Sequence, residues 1–165
     1  MAEALLRRRL EVAGVDARVG SAGFLVEGEP ATDDAIQTML GYDLDISDHR
    51  SRVVTPGLAT SADLIVTMTG QHIAELAGVD PGAWPRAFPL RNLVRRAQVV
   101  GRRRPDEPLD QWAARMGAGR TPRDVLSAPA SDDVQDPIGM PRSAYEQTAA
   151  DLDQLLESLV LAIRT

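Results

Sequence analysis

Hydrophobic residues recur at helical spacing at both ends of the chain. The first such stretch begins at Met1 and stops at Gly14, a residue type that commonly ends a helix. Its apolar positions are Leu5, Leu6, Leu10 and Ala13. A longer stretch keeps helical spacing from Tyr145 to Ile163. The pattern therefore predicts an amphipathic helix at each end.

Shorter helices are predicted between these two. One covers residues 33–40, with Thr32 as its cap. Its inward face should consist of Ala35, Ile36, Met39 and Leu40. Thr55 and Pro56 open a short helical turn, as cap and first-position proline, and Thr69 can cap a helix that begins at Gly70. Further helices are expected near residues 93–99 and 109–116.

Three segments have the patterns of β-strands. Leu64–Met68 is an apolar run, typical of a parallel strand buried on both faces. Val15–Val19 alternates apolar and polar residues, which indicates a strand with one exposed face or an edge position. In the third segment, residues 86–90, Pro89 favours a sheet edge because proline cannot donate to the ladder. A central partner for Leu64–Met68 is missing from this set.

The order of these elements predicts an α/β fold. Alternating strands and helices build a three-layer, doubly wound parallel sheet, which binds ligands beyond the carboxyl ends of its strands. The chain has 165 residues and 44% apolar composition. Such a chain is expected to form a single domain, residues 1–165, with a sizeable core.

Composition narrows the function classes. The sequence has no cysteine, which excludes disulfides, thiolate metal sites and cysteine nucleophiles among these residues. The net charge of −6 argues against a nucleic-acid partner. Arg102–Arg104 is a local exception, which we interpret as a solvated loop. No apolar run of membrane-spanning length and no secretory leader is seen, so no membrane partner and a cytoplasmic location are expected.

Five motifs, in order, resemble the low-molecular-weight protein-tyrosine-phosphatase family. They are Met-Ala-Glu-Ala-Leu-Leu-Arg at 1–7, Gly-Ser-Ala-Gly at 20–23, Asp-His-Arg-Ser-Arg at 48–52, Ala-Asp-Leu-Ile-Val-Thr-Met-Thr at 62–69 and Asp-Pro at 136–137. Each motif alone is common, but together they cover the chain almost from end to end. The resemblance implies the α/β fold predicted above, hydrolysis of phosphate monoesters, and no cofactor or metal.

The same resemblance implies a catalytic loop directly before the Met-Ala-Glu-Ala helix. In the family this loop consists of a cysteine, five further residues, an arginine and Ser-Pro, and it follows a hydrophobic central strand. Because Met1 falls where the helix begins, we expect that central first strand and the whole phosphate loop to be missing from this chain. This expectation agrees with the missing partner of Leu64–Met68.

By position in the family pattern, Asp136 is the expected general acid, which protonates the leaving oxygen. Pro137 restricts Asp136 to extended backbone conformations and so helps to project the carboxylate. The alternative is an ordinary Asp-Pro turn before the last helix. Ser21 matches the serine that steadies the phosphate loop, although ordinary turn chemistry explains a serine there nearly as well.

Other polar and aromatic residues have less specific interpretations. His49 matches a structural hydrogen-bonding position of the family, His72 is expected to be exposed in the first turn of a helix, and neither has a partner spaced for metal binding. Arg50 and Arg52 are candidates for anion binding, but a solvated loop explains them equally well. The two tryptophans, Trp84 and Trp112, are expected to be packing residues.

The loops that should flank the substrate differ from the family pattern. The family usually has aromatic residues after the Asp-Pro motif and after Ser-Ala-Gly. Here Ile138, Gly139 and Met140 follow the first motif, and Phe24 is the only aromatic residue in the short segment 24–28 that follows the second. If the site is complete, we expect a phosphomonoester or phosphoprotein substrate, with a preference for a phosphomonoester other than phosphotyrosine.

The sequence thus predicts a phosphatase-like protein that is inactive as given, because the nucleophile loop is absent. The alternative is a catalytically dead binding or regulatory module of the same fold. The oligomeric state is not predicted.

Overall fold

A computed structural model describes residues 1–121, 123–124 and 129–165. The chain divides into two compact units. Unit 1 contains Met1–Val53 and Gln135–Val160, and unit 2 contains Val54–Val134 and Leu161–Thr165. The single domain expected from chain length stays a prediction.

The elements largely follow the predicted order. In chain order they are α1 (Ala2–Val12), α2 (Asp33–Leu40), α3 (Pro56–Ser61), β1 (Ile65–Thr67), α4 (Gly70–Val79), a 3₁₀ turn (Trp84–Arg86), β2 (Ala87–Pro89), α5 (Leu90–Val100), α6 (Leu109–Gly117), a second 3₁₀ turn (Ala130–Asp132) and α7 (Arg142–Ile163). Each helix that the sequence predicted is present, so local hydrophobic spacing was a sufficient guide to the helices.

Three predicted helix caps are confirmed. The side-chain oxygens of Thr32, Thr55 and Thr69 each accept a backbone N–H from the first turn of α2, α3 and α4, at 3.3 Å in every case. The predicted inward face of α2 was wrong at Leu40, which is 46% exposed, whereas Thr38 is buried. The helix ends at Leu40, so that side chain lies at the rim of the packed face.

Unit 2 contains the described sheet. β1 and β2 pair in parallel, with Ile65 opposite Ala87 and Thr67 opposite Pro89. α4 lies between the two strands in the chain, which makes a β-α-β unit and confirms the α/β class. β1 corresponds to the predicted strand at Leu64–Met68. The prediction that it is buried on both faces was wrong, because Ile65 and Val66 are only half-buried. Among the described residues β1 pairs with a strand on one side alone.

The predicted strand at Val15–Val19, in unit 1, was also wrong. These residues form no strand, and the nearest ladder contact is a single parallel bridge between Gly23 and Val53. The backbone of the segment is engaged elsewhere: Val15 donates its N–H to Leu10 of α1, and the Val19 carbonyl accepts from a side chain. An alternating pattern needs a neighbouring strand to become a ladder, and the described residues offer none.

Within unit 1, α1 is joined to α7 by charged side chains. Arg9 forms two hydrogen bonds to the Asp153 carboxylate, at 2.8 and 2.7 Å, and its guanidinium lies 3.4 Å from Glu157. Arg8 donates to the Tyr42 carbonyl and lies over the Tyr42 ring. The orientation of α1 in this unit is therefore set by long-range bonds as well as by its buried Leu5 and Leu10.

The arginine loop after α5, in unit 2, is more ordered than a solvated loop. Arg103 donates its backbone N–H to the Ala162 carbonyl at 2.8 Å and its side chain to the Ile163 carbonyl at 2.7 Å, which caps the end of α7. Arg115 donates to the Arg102 carbonyl at 2.8 Å. The solvated interpretation holds for the exposed Arg102 and Arg104 and was wrong for Arg103.

Candidate functional site

Ser21 lies next to the amino end of α1 in unit 1. Its hydroxyl donates a hydrogen bond to the carboxylate of Glu3, in the first turn of the helix. The other oxygen of Glu3 accepts from Arg7, one turn further along α1. The sequence motif that contains Ser21 is thereby attached to α1, the helix that the resemblance places directly after a phosphate loop.

Two arginines hold the backbone around Ser21. Arg7 donates to the Val19 carbonyl at 3.1 Å, and Arg52 donates twice to the Ser21 carbonyl, at 3.2 and 2.9 Å. At Gly20 a Cβ atom would lie 2.8 Å from a guanidinium nitrogen of Arg52. Gly20 therefore allows Arg52 to approach the backbone. Hydrogen bonds from Arg7 and Arg52 together stabilise the loop that contains Ser21.

The Glu3 carboxyl is the electrostatic centre of this cluster. Burial alone would raise the pKa of Glu3. Hydrogen bonds from Ser21 and Arg7 outweigh burial, the charges of Arg7 and His49 act in the same direction, and the pKa lies below its ordinary value of 4.5. Because the hydroxyl proton of Ser21 is donated to an ionised Glu3, the Ser21 oxygen is left to accept a hydrogen bond from any further group.

Asp136 lies in the loop that precedes α7, also in unit 1. Its side chain is exposed, and its Oδ1 accepts the backbone N–H of Ile138 at 3.0 Å. Pro137 is buried, and its carbonyl accepts the N–H of Met140 at 2.9 Å. Among the described residues, Asp136 Oδ2 has no hydrogen-bond partner. The loop thus presents one free carboxyl oxygen to solvent.

The neighbouring acids Asp132 and Asp133, in unit 2, are engaged in the fold. Asp132 is 0% exposed and accepts two hydrogen bonds from Arg95, at 2.7 and 2.8 Å, and one from Asn92 at 3.0 Å. Asp133 accepts the N–H of Gly70, at the start of α4, at 3.0 Å. The Asp132 carboxylate is therefore unavailable as an alternative general acid in this conformation, whereas Asp133 is half-buried with one oxygen bonded to the start of α4.

The structure also describes the surroundings of His49, His72 and Arg50. His49 is exposed, and within the described residues its side chain makes no hydrogen bond, although its charge acts on Glu3. His72 is half-buried, so the expected exposure was wrong. Arg50 donates to the carbonyls of Ser47 and His49, at 3.0 and 2.7 Å. Arg50 and Arg52 therefore both bond to backbone oxygens, and anion binding by their remaining N–H groups stays a prediction.

Both tryptophans were predicted to be packing residues, and Trp112 is one. Its side chain is 0% exposed and donates to the Gly101 carbonyl at 3.3 Å. Trp84 is half-buried in the first 3₁₀ turn.

The structure brings Ser21 together with Glu3, Arg7 and Arg52, while no hydrogen bond joins Asp136 to Ser21 among the described residues. Glu3 and Arg7 were missed in the sequence, although both lie within the motif at 1–7. Their spacing of four residues, with glutamate before arginine, is the signal that indicates a pair on one helix face.

Two further properties concern the whole described part of the chain. None of its helices combines the length and apolarity needed to cross a membrane. Within the same residues, no three His, Asp or Glu side chains form a group that could hold a metal ion.

The sequence has relatives among phosphatases. The profile of the low molecular weight phosphotyrosine protein phosphatase family matches residues 1–99. The EpsP protein of Ralstonia nicotianae, named a probable low molecular weight protein-tyrosine-phosphatase, is 35% identical over 91 residues, or 54% of this chain. This match spans 60% of the length of that relative.

Solved structures of the same kind superpose on the chain. A low molecular weight protein tyrosine phosphatase from Bacillus subtilis matches with a TM-score of 0.71 and 26% identity, covering 98% of this chain and 85% of its own. A variant of the arginine phosphatase YwlE with a phosphorylated active-site serine matches with a TM-score of 0.70 and 26% identity, covering 98% and 84%. These neighbours confirm the predicted fold, and the chain belongs to the low-molecular-weight phosphotyrosine protein phosphatase family.

Proposed function

We propose that this chain supplies the general acid and the loop support of a phosphate-ester hydrolase, with Asp136 as the acid. The supporting observation is the exposure of three carboxyls that are close in sequence. Asp132 is buried and fully bonded, Asp133 is half-buried with one oxygen bonded to the Gly70 N–H, and Asp136 is exposed with Oδ2 unbonded among the described residues. A general acid needs one oxygen that can carry a proton to the leaving group.

We infer that Ser21 supports the phosphate loop by accepting a hydrogen bond from it. The Ser21 proton is directed to Glu3, so its oxygen faces any other partner as an acceptor. The amino end of α1 has no side-chain cap. Free N–H groups at such a helix end attract phosphate, since the helix dipole adds to their hydrogen bonds.

The nucleophile is not among these residues, because the sequence contains no cysteine. An acid without a thiolate and a phosphate-binding loop holds only one part of the machinery. We therefore propose that residues 1–165 alone have no phosphatase turnover. The direct measurement is hydrolysis of a generic aryl phosphate by the purified chain. Turnover that survives purification and disappears in Asp136→Asn would contradict the proposal.

The side chains that follow the Asp-Pro and Ser-Ala-Gly motifs favour a substrate other than phosphotyrosine. Ile138 and Met140 follow the Asp-Pro motif and are 67% and 39% exposed, and Leu25, after the Ser-Ala-Gly motif, is 91% exposed. Aliphatic side chains cannot form the ring contacts that aromatic pairs provide. We propose a phosphoprotein or small phosphomonoester substrate, and phosphoarginine belongs in the test panel because one structural neighbour is an arginine phosphatase.

The role of Asp136 can be tested once a nucleophile is present. A family-like strand and phosphate loop placed ahead of Met1 should create a site in which the cysteine thiolate attacks phosphorus. Asp136→Asn in that protein should slow hydrolysis of an alkyl phosphate by about 10²–10⁴-fold, because a poor leaving group needs the proton. An ester whose leaving oxygen needs no proton should slow much less.

Asp110→Asn is the matched control, because Asp110 is an exposed aspartate in the first turn of α6. It should leave both rates unchanged. If Asp136→Asn slows both esters equally, or neither, Asp136 is a turn residue and the proposal fails.

The second candidate is a binding module of the same fold that does not hydrolyse its ligand. It is favoured by a specific combination: the Glu3–Ser21–Arg7 cluster is intact while the sequence has no cysteine. Isothermal titration of the chain with phosphate, a phosphotyrosine peptide and a phosphoarginine peptide separates the two. Tight peptide binding by residues 1–165 alone would favour the module.

A further inference from the structure

A threonine of α7 contacts the backbone next to the proposed acid. Thr148 is buried, and its hydroxyl donates to the carbonyl of Gln135 at 3.3 Å. A threonine inside a helix usually bonds the carbonyl one turn back in its own helix. Here the hydroxyl reaches a residue thirteen positions earlier, outside the helix. The bond therefore attaches the acid loop to α7.

The Gln135 carbonyl is rigidly coupled to Asp136. This carbonyl belongs to the planar peptide unit that joins Gln135 to Asp136. A hydrogen bond to its oxygen therefore restricts rotation of that peptide plane, and with it the position of the Asp136 Cα atom. On the other side, the buried Pro137 limits the backbone of Asp136 to extended conformations. Asp136 is thus held from both directions within unit 1.

The side chain of Asp136 is oriented by the same loop. Its Oδ1 accepts the Ile138 N–H at 3.0 Å, which orients the carboxyl plane and leaves Oδ2 without a hydrogen-bond partner among the described residues. This bond requires that the backbone on both sides of Asp136 keeps its geometry. A shift of the Gln135 peptide would move the carboxyl oxygen away from Ile138.

We propose that Thr148 is a positioning residue for the general acid. Its hydroxyl holds the Gln135 peptide, and through it sets the direction in which the Asp136 carboxyl points. The inference rests on the proposed function for its catalytic meaning, but the positioning itself is measurable without catalysis.

Unit 1 contains a matched control threonine. Thr38 is also buried in a helix, α2, but its hydroxyl has no hydrogen-bond partner among the described residues. Thr38→Val and Thr148→Val remove the same group from similarly buried sites. Any difference between them therefore reports the Thr148–Gln135 bond.

The first experiment uses the full 165-residue chain and follows amide hydrogen exchange at Ile138 by NMR. Thr148→Val should speed exchange at Ile138 about fivefold, the factor that corresponds to loss of one ordinary hydrogen bond. Thr148→Ser keeps the hydroxyl and should restore slow exchange, and Thr38→Val should leave it unchanged. Unchanged exchange in Thr148→Val, or equal acceleration in Thr38→Val, would overturn the proposal.

The second experiment uses the protein that carries a nucleophile loop ahead of Met1. Thr148→Val should lower kcat for an alkyl phosphate about tenfold, because a misplaced catalytic group lowers the rate of a step in which that group acts. For an ester with a good leaving group, kcat should change by less than about twofold, because that step does not need the acid. Thr148→Ser should recover the rate.

The outcomes separate the two ideas. If Asp136→Asn is selective for the alkyl phosphate but Thr148→Val is not, the positioning role is wrong and the proposed function stands. If Asp136→Asn affects neither ester, the proposed function is wrong, and the catalytic part of this inference is overturned with it.

Discussion

Asp132 and Asp136 are separated by three residues in the chain and have opposite surroundings. Asp132 is fully buried and accepts three hydrogen bonds from Arg95 and Asn92. Asp136 is exposed and accepts one hydrogen bond from its own loop. The same functional group is thus committed to structure in one region and available to solvent in the other.

The difference shows what distinguishes a structural carboxylate from a candidate acid. Hydrogen bonds from Arg95 lower the pKa of Asp132 below its ordinary value of 3.8; they outweigh burial, which would raise it. A carboxylate bonded in this way stays ionised, so it has no proton to donate. Asp136 meets the opposite requirement, because one of its oxygens is unengaged among the described residues.

The largest effect on stability is expected at Asp132. Asp132→Ala should lower the free energy of unfolding by about 2 kcal/mol, because it removes three hydrogen bonds and leaves a buried space. The value is below the range for fully buried ion pairs because the Arg95 side chain is 55% exposed and stays hydrated when its partner is lost. Urea unfolding followed by circular dichroism measures it.

Arg95→Met provides a second test of the Asp132 region. It leaves the buried carboxylate with Asn92 as its remaining partner, so it should destabilise the protein at least as much as Asp132→Ala. A loss below about 0.5 kcal/mol in both variants would show that the buried pair contributes nothing to folding.

A smaller effect is expected in the pH dependence of stability. The native pKa of Asp132 lies below the unfolded value of 3.8, so its contribution is present above pH 3.8 and is lost as the pH falls through the native pKa. The Glu107 pKa is lowered from 4.5 to about 2 by hydrogen bonds from Arg115 and Arg104, and its contribution is lost between those two values. Stability should therefore fall steadily below pH 4.5.

Substitution of Asp132 tests which carboxyl causes the loss of stability at acidic pH, called here the acid limb. Asp132→Asn should flatten the fall in unfolding free energy below pH 3.8, whereas Thr38→Val, which changes no titratable group, should keep the slope of the unmodified chain. An acid limb in Asp132→Asn as steep as in the parent would mean that other carboxyls determine it.

The smallest effect on stability is expected at Asp136. Asp136→Ala should change the unfolding free energy by less than about 0.5 kcal/mol, because water replaces an exposed hydrogen bond. The same residue has the largest predicted effect on catalysis in a protein that carries the nucleophile loop. A stability loss at Asp136 as large as that at Asp132 would remove the contrast between the two regions.

The comparison also shows which features could be read from the sequence. The caps Thr32, Thr55 and Thr69 were predicted because a cap and the N–H it accepts lie within one turn of each other. The strand at Val15–Val19 was not a safe prediction, because a strand depends on a partner that may lie anywhere in the chain. Ser21 and Asp136 were predicted as site residues from the family motifs, without a geometric reason.

By itself the sequence determined the helices, their caps, the β-α-β order and the motifs that identify the family. These features depend on hydrophobic period and on contacts within about four residues, which the order of amino acids specifies directly. The tertiary structure decided that Asp132 is buried and fully bonded while Asp136 is exposed, that Ser21 donates to Glu3, and that Thr148 donates to the Gln135 carbonyl. Each of these contacts depends on packing that brings groups distant in sequence within about 3 Å, the distance of a hydrogen bond. The local spacing of residues does not encode such contacts.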